Sequence, residues 1–286
     1  MKKCHFSILY NELPFLKQKM DFLYENFDQL IFYDLNVCTE KPHFSTDGSH
    51  EFLKDYPDPE KKITIIEKTD LSDVVDYRGA GSIEKRKMFA VGSTYVRDDI
   101  QSFWCFDLDE FFNRSLLSKV DDIFNEDQKI NSINLEHLVF WKKIDNILCF
   151  PDKETWDFPA SRIARHKPGN IYGHCNIEKD YSNNFKIDAD EELCYHFAWV
   201  GDKRVKSKIE HYTTPPTGNP VHKQMYSTWY NNIWLTYEKY KDQISDSLFG
   251  YPNMHPNYKA IKSGVKKYEG SYPDYIDIQK LQKEID

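Results

Sequence analysis

Two aspartates one residue apart, Asp107 and Asp109, stand at the end of an apolar run, Phe103-Trp104-Cys105-Phe106, and Glu110 follows at once. Carboxylates are hard oxygen ligands, and two at one strand end can hold a divalent cation that bridges protein to diphosphate. The same pattern also suits a solvated turn or a helix N-cap, because aspartate is favoured in both and Asp-x-Asp is short and common. The choice between them depends on which other groups the chain brings to that edge.

The elements around the motif read as a wound α/β unit. The run 103–106 is apolar on both parities, as expected of a strand covered on two faces in a parallel sheet. Ligands of such sheets bind outside the carboxyl ends of the strands. A first strand is predicted over Cys4 to Tyr10, then a helix that accepts Pro14 in its first turn and carries Leu16, Met20, Leu23 and Phe27 at helical spacing. Leu30-Ile31-Phe32-Tyr33 is a second apolar run, and it too finishes on an acid, Asp34. Ile63-Thr64-Ile65-Ile66 is a third strand, and Ser82 to Val91 reads as a Ser-capped helix leading to the acidic strand. Strand, helix, strand units in this order wind a parallel sheet whose strand ends gather on one edge.

Beyond the motif the regularity falls away. Ile133, Leu135, Val139 and Trp141 alternate around His137 as one strand, while 154–165 and 167–175 are rich in turn formers. Leu193 to Val200 is a further strand and Lys203 to His211 a basic helix. Pro215-Pro216-Thr217-Gly218-Asn219-Pro220 is the clearest linker, with a helical aromatic segment from Met225 to Tyr240 after it. The expectation is one domain over residues 1–214 and a helical C-terminal extension over 215–286.

Composition narrows the function classes. The 286-residue chain is long enough for a substantial core, and with 29% charged and 40% hydrophobic residues it has a globular composition. No stretch reaches the apolar length of a membrane span. A net charge of −8 argues against nucleic acid as a partner, since phosphate-backbone binding needs clustered Lys and Arg. Six cysteines without any Cys-x-x-Cys spacing point to reduced thiols and a cytoplasmic setting. The Lys, Asn, Tyr and Ile richness suits an AT-rich microbial or viral genome; for a viral source the cytoplasm would be the host's.

With Asn11-Glu12 after the first strand, Tyr33-Asp34 after the second, Ser45-Thr46-Asp47-Gly48 in the next loop and Asp107-Leu108-Asp109-Glu110-Phe111, the chain resembles the GT-A fold nucleotide-sugar glycosyltransferases. His196-Phe197-Ala198-Trp199, with Lys208 twelve residues after His196, is similar to the His-x-x-Trp segment of families related to the bisecting N-acetylglucosaminyltransferases and to several viral and bacterial polysaccharide transferases. The likeness covers about the first two-thirds of the chain. It implies a Rossmann-like, mostly parallel sheet flanked by helices, and metal-dependent transfer of a sugar, most often from a UDP donor, to a glycan or glycoconjugate hydroxyl. It further implies that Asp109 binds Mn2+ or Mg2+, that His196 completes the metal shell or touches the diphosphate, and that Asp107 serves both metal and ribose. By the same likeness Asn11 and Asp34 lie near the nucleoside, and Lys208 neutralises charge on the leaving group.

Other candidates rest on the residues themselves. Of Lys85, Arg86 and Lys87, Arg86 is taken as the cation that reaches the diphosphate, the others as a solvated helix face. An inverting transfer needs a carboxylate base on the acceptor hydroxyl. Among Glu136, Glu154, Asp157, Asp188, Asp190, Glu191 and Glu192, Asp157 is favoured, because Trp156 beside it offers a sugar platform. Arg162, Arg165 and His166 are acceptor-site candidates with Trp156. Each also has a plainer reading: His196 as a core histidine, Asn11 as a turn residue. Two further functions stay open, a metal-dependent nucleotidyltransferase or phosphohydrolase and a carbohydrate-binding protein without turnover.

Overall fold

Strand β1 (Lys3–Leu9) lies between two parallel neighbours, β2 (Gln29–Asp34) and β4 (Ser102–Cys105), so its residues are buried irrespective of parity. The computed structural model describes residues 1–36, 42–77, 83–149, 154–155, 161–173, 183–213, 227, 230–240 and 264–285. Within these, β3 (Ile63–Ile66), β2, β1, β4, β8 (Ser161–Arg165), β6 (Ser132–Asn134) and β9 (Asn184–Lys186) form a seven-stranded sheet in that order. Four of its pairings are parallel; those flanking β8 are antiparallel. The expected mostly parallel α/β sheet is present.

The apolar runs divide by parity, as strand geometry requires. Leu9, Leu30, Phe32, Trp104 and Phe106 join one core with helices α1 (Leu13–Asn26), α2 (Ser49–Asp55) and α4 (Ser115–Glu126) through Leu16, Met20, Leu23, Leu53, Leu116, Val120 and Phe124. Cys4, Phe6, Ile31, Tyr33, Phe103 and Cys105 face the other way, onto Met88, Phe89 and Val91 of α3 (Ile83–Ser93). Burying each large side chain contributes about 1.5–3 kcal/mol. Helix α3 approaches so closely that a Cβ on Gly92 would stand 2.1 Å from the Phe6 ring. A side chain there would push the helix off the sheet.

A second, four-stranded sheet runs β11 (Val265–Lys267), β7 (Glu136–Leu148), β10 (Leu193–Val200) and β5 (Glu110–Phe111). The single strand expected across Ile133–Trp141 is therefore divided at Leu135, β6 joining the large sheet and β7 the small one. Strand β8 departs from expectation too: its short run, Ser-Arg-Ile-Ala-Arg, sits in turn-rich sequence and is held by antiparallel pairing with β4 and β6. The C-terminal extension adds a strand to the expected helices, since β11 pairs with β7. A C-terminal helix, Ile278–Ile285, buries Leu281 and Ile285 in the main core. Tyr275 stacks on Phe22 at 3.9 Å and exchanges hydrogen bonds with the Phe112 backbone. The Pro-rich linker 215–220 lies outside the described residues, as do 225–226 and 228–229; Tyr230–Trp234 forms a π-helical turn and Tyr237–Tyr240 an α-helical one.

Strand β4 ends where β5 begins, so the acidic turn is the hinge between the two sheets. Antiparallel pairing of β5 with β10 sets His196 opposite Glu110.

Candidate functional site at the acidic turn

The turn is held from beneath by buried charge. The Glu110 amide donates to the Asp107 carbonyl at 3.0 Å, and the Glu110 carboxylate accepts the Asp107 amide at 3.0 Å. Lys19 of α1, fully buried, donates to the Asp107 carbonyl at 3.1 Å and to the Glu110 carbonyl. On β1, the Ser7 hydroxyl donates to the carbonyl of Phe106. Arg162 of β8 pairs with the other Glu110 oxygen. Burial pushes the Glu110 carboxyl up to about 7 and Lys19 down to about 8, each opposed by its partner's charge. Glu110 thus anchors the turn. Arg162, an acceptor-site candidate by sequence, lies 2% exposed beneath the carboxylates, turned toward Glu110.

Asp109 is buried, yet its two oxygens have different company. Oδ2 accepts from Arg204 at 2.6 Å and from Lys208 at 3.1 Å. Both cations stand on α5 (Asp202–Thr213), four residues apart and so on one helix face. Oδ1 faces His196 Nε2 at 3.7 Å, beyond hydrogen-bond length. Burial favours the neutral acid, but Lys208, Arg204 and His196 outweigh it and hold Asp109 well below the usual carboxylate range. His196 goes the other way: burial lowers it to about 4 despite Asp109, so its imidazole is neutral at pH 7. Its Nδ1 is buried and has no hydrogen-bond partner among the described residues.

Arg204 is the functional candidate that sequence reasoning missed. It grips Glu12 with two nitrogens, at 2.8 and 3.1 Å, and donates to the carbonyls of Phe197 and Ala198 at 3.0 Å. Its guanidinium also lies 4.7 Å from the Phe15 ring centroid. The partners are 192 residues apart, so no local pattern announces them; the only signal is one more basic residue on a helix already read as basic.

Asp107 is the more open acid. Its carboxylate lies 3.5 Å from Lys85 of α3 and is partly exposed. Of the basic triplet, Lys85 is thus the residue facing the acidic turn. Arg86 lies over Tyr77 at 5.2 Å, with Nε buried and without a hydrogen-bond partner among the described residues, and Lys87 donates to the Leu71 carbonyl.

Asn11 and Asp34 meet in one loop rather than at the acids. Asn11 adopts a left-handed φ of 53°, and its side-chain oxygen accepts the Thr46 amide at 2.8 Å. Asp34, fully buried, accepts from the Ser45 amide and hydroxyl with Oδ1 and meets His50 Nδ1 at 2.6 Å with Oδ2. Asp47 ties the same loop to α1 through the Leu13 amide. Trp156 and Asp157 lie outside the described residues. Among the other base candidates, Glu136 contacts Thr155 and Lys186, Glu154 pairs with Lys266, Glu191 pairs with Lys119, and Glu192 faces Asn113.

Of the three expected metal ligands, Asp109 and His196 face one another, while among the described residues Asp107 does not join them in a group of three ligand atoms within 4.8 Å of one another. Asp109 Oδ1 and His196 Nε2 face one another without a hydrogen bond, the imidazole is neutral, and the Asp107 carboxylate is partly open. Two carboxylates with one imidazole are ligands that Mn2+ or Mg2+ accepts. Deeper, Glu110, His137 and Cys194 bring one ligand atom each within 4.8 Å of one another. That cluster is fully buried and Arg162 already pairs with its carboxylate. The four described cysteines are free thiols, and no helix among the described residues is long and apolar enough to cross a membrane.

Compared with protein-family models, the chain matches none, and no curated protein matches it. Among solved structures it is similar to the crystal structure of S. aureus TarS 1-349, at 10% identity and a TM-score of 0.40, over 86% of this chain and 76% of that one. A likeness of that size carries nothing about the chemistry of the site.

Proposed function

We propose that the chain is a metal-dependent glycosyltransferase that moves a sugar from a nucleotide diphosphate donor, a UDP-sugar in the first instance, to a glycan or glycoconjugate hydroxyl. The observation that carries this reading is the composition of one strand edge. Asp107 and Asp109 end β4 beside a neutral histidine, and three cations, Lys85, Arg204 and Lys208, surround them. Acids alone suit a metal and cations alone suit an anion; the two interleaved suit a metal and a diphosphate together.

Asp107, Asp109 and His196 would hold Mn2+ or Mg2+, which when bound polarises the diphosphate oxygens and offsets charge on the leaving nucleotide. The chain's own residues do the rest. Lys85 and Lys208 are placed to meet phosphate oxygens, and because they stand on α3 and α5 they approach from two sides. Lys19, Ser7, Arg162 and Glu110 fix the turn, so the carboxylates need no reorganisation when charge develops. Asn11 and Asp34 act by shaping the 45–47 loop on the nucleoside side. Arg86 remains a proposed diphosphate contact, with Asp157 the proposed base and Trp156 the proposed acceptor platform, whereas Arg162, buried against Glu110, serves the turn and not the acceptor. The division at 214/215, absence of a nucleic-acid partner, and a cytoplasmic setting belong to the same proposal.

The test is consumption of donor. Incubated with Mn2+ and a panel of UDP- and GDP-sugars, the chain releases nucleoside diphosphate from at least one, and a chelator stops the release. Release of sugar phosphate in place of nucleoside diphosphate would assign the site to phosphohydrolase chemistry; absence of any donor turnover with a range of glycan acceptors present would defeat the proposal.

A further inference from the structure

The two cations on Asp109 Oδ2 are not equivalent. Arg204 commits Nε and Nη2 to Glu12 and Nη1 to two backbone carbonyls, so its contact with Asp109 is one of a fixed set. Lys208 makes only the Asp109 hydrogen bond among the described residues, with its ammonium 5.6 Å from the Trp199 ring centroid and its side chain 21% exposed. A lysine ammonium on a flexible stem reorients readily, whereas a guanidinium held as a bidentate fork does not. One cation is built in, and the other is releasable.

A divalent ion seated on Asp109 Oδ1 would lie close to both positive charges. Two like charges a few ångströms apart repel by several kcal/mol even at an effective dielectric near 20. Arg204 cannot leave without unpairing Glu12. Lys208 can leave, but an ammonium taken from a buried carboxylate needs another anion to receive it. A diphosphate arriving at the open Asp107 side supplies one.

Resting on the glycosyltransferase reading above, we propose that Lys208 is a gate: it occupies Asp109 in the donor-free chain and transfers to the donor's diphosphate, which makes divalent-ion binding conditional on the nucleotide. Arg204, clamped by Glu12, is the positioning residue that keeps Oδ2 engaged and leaves Oδ1 as the oxygen presented to the ion. The order of assembly is then nucleotide with or before metal. Coupling of this kind is reciprocal, so the ion must tighten the nucleotide by the same factor.

The experiment is Mn2+ titration followed by electron paramagnetic resonance of the free ion, on the full chain with and without UDP, GDP or inorganic pyrophosphate. Three proteins are compared: the parent, Lys208→Gln, which removes the charge, and Lys208→Arg, which keeps it. Circular dichroism confirms that each is folded. The parent binds Mn2+ weakly alone and more tightly with a nucleoside diphosphate. In Lys208→Gln the affinity for Mn2+ alone rises at least about tenfold and the coupling to nucleotide shrinks, while Lys208→Arg stays with the parent. Lys208→Gln binding Mn2+ alone no more tightly than the parent overturns the gate and leaves the transferase proposal standing. Nucleotide binding without Mn2+ binding in any protein overturns the gate and the metal assignment together.

Discussion

Strands β2 and β4 are neighbours of the same central strand, both are buried throughout, and both deliver an aspartate at the carboxyl end, yet the two acids do opposite work. Asp34 engages both oxygens inside the protein, on Ser45 and His50. Burial raises its carboxyl above the ordinary range, its hydrogen bonds pulling back. Asp109 is as deeply set, but Arg204 and Lys208 hold it well below that range and one oxygen stays without a hydrogen bond. What separates an anchor from a working acid is therefore the partner set. The partner set of Asp34 is local, within sixteen residues; that of Asp109 comes from α5, 95 and 99 residues on.

The largest expected effect breaks the comparison on the chemical side. Asp109→Asn keeps the shape and removes the charge, and donor turnover falls by about a thousandfold or more, as for loss of a central electrostatic group; initial rates of nucleoside diphosphate release measure it. Next comes the clamp. Arg204→Ala leaves Asp109 and Glu12 without their shared guanidinium, and removing one member of a buried ion pair costs about 3–5 kcal/mol, read from urea unfolding. Asp34→Asn is milder. It disturbs three buried hydrogen bonds at about 1–3 kcal/mol, and it raises donor KM while turnover at saturation stays within about threefold.

The smallest effect sharpens the comparison through pH, with chelator present. Asp34 has a raised carboxyl in the fold, so it contributes stability that is complete below the unfolded value near 3.8 and is lost as pH rises through its folded value. Asp109 is depressed, so its contribution is present above about 3.8 and is lost as pH falls through its folded value. The stability differences between parent and each Asn variant therefore run with opposite slopes against pH, each at most about 1.4 kcal/mol per pH unit. Thermal unfolding of the three proteins between pH 3.5 and 7 checks this, and equal slopes would show that the two acids share one environment.

Much of the scaffold is legible because it is written in local pattern. Ile63–Ile66 and Leu193–Val200 are strands with the boundaries their apolar runs suggest, and Pro14 opens α1. Legibility fails where distant pairing decides. Strand β8 has neither a clean alternation nor an apolar run, and it exists because β4 and β6 offer edges to it. The division of 133–141 between two sheets likewise depends on β10 arriving beside β7. At the site, the acids, His196 and Lys208 can be picked from the sequence, and the structure brings His196 to 3.7 Å and Lys208 to 3.1 Å from the Asp109 carboxylate. The Arg204–Glu12 clamp and the burial of Arg162 under Glu110 cannot be read, since each depends on residues dozens to hundreds apart.

The central claim is that the β4 edge binds a metal and a nucleoside diphosphate together, and thermal shift with and without Mn2+ across UDP, GDP and their sugars tests it most directly. A ligand that binds only the folded chain raises its melting temperature with occupancy. The account predicts a clear Mn2+-dependent rise with at least one of these ligands in the parent and none in Asp109→Asn. No Mn2+-dependent rise with any of them, or the same rise in Asp109→Asn, would contradict it.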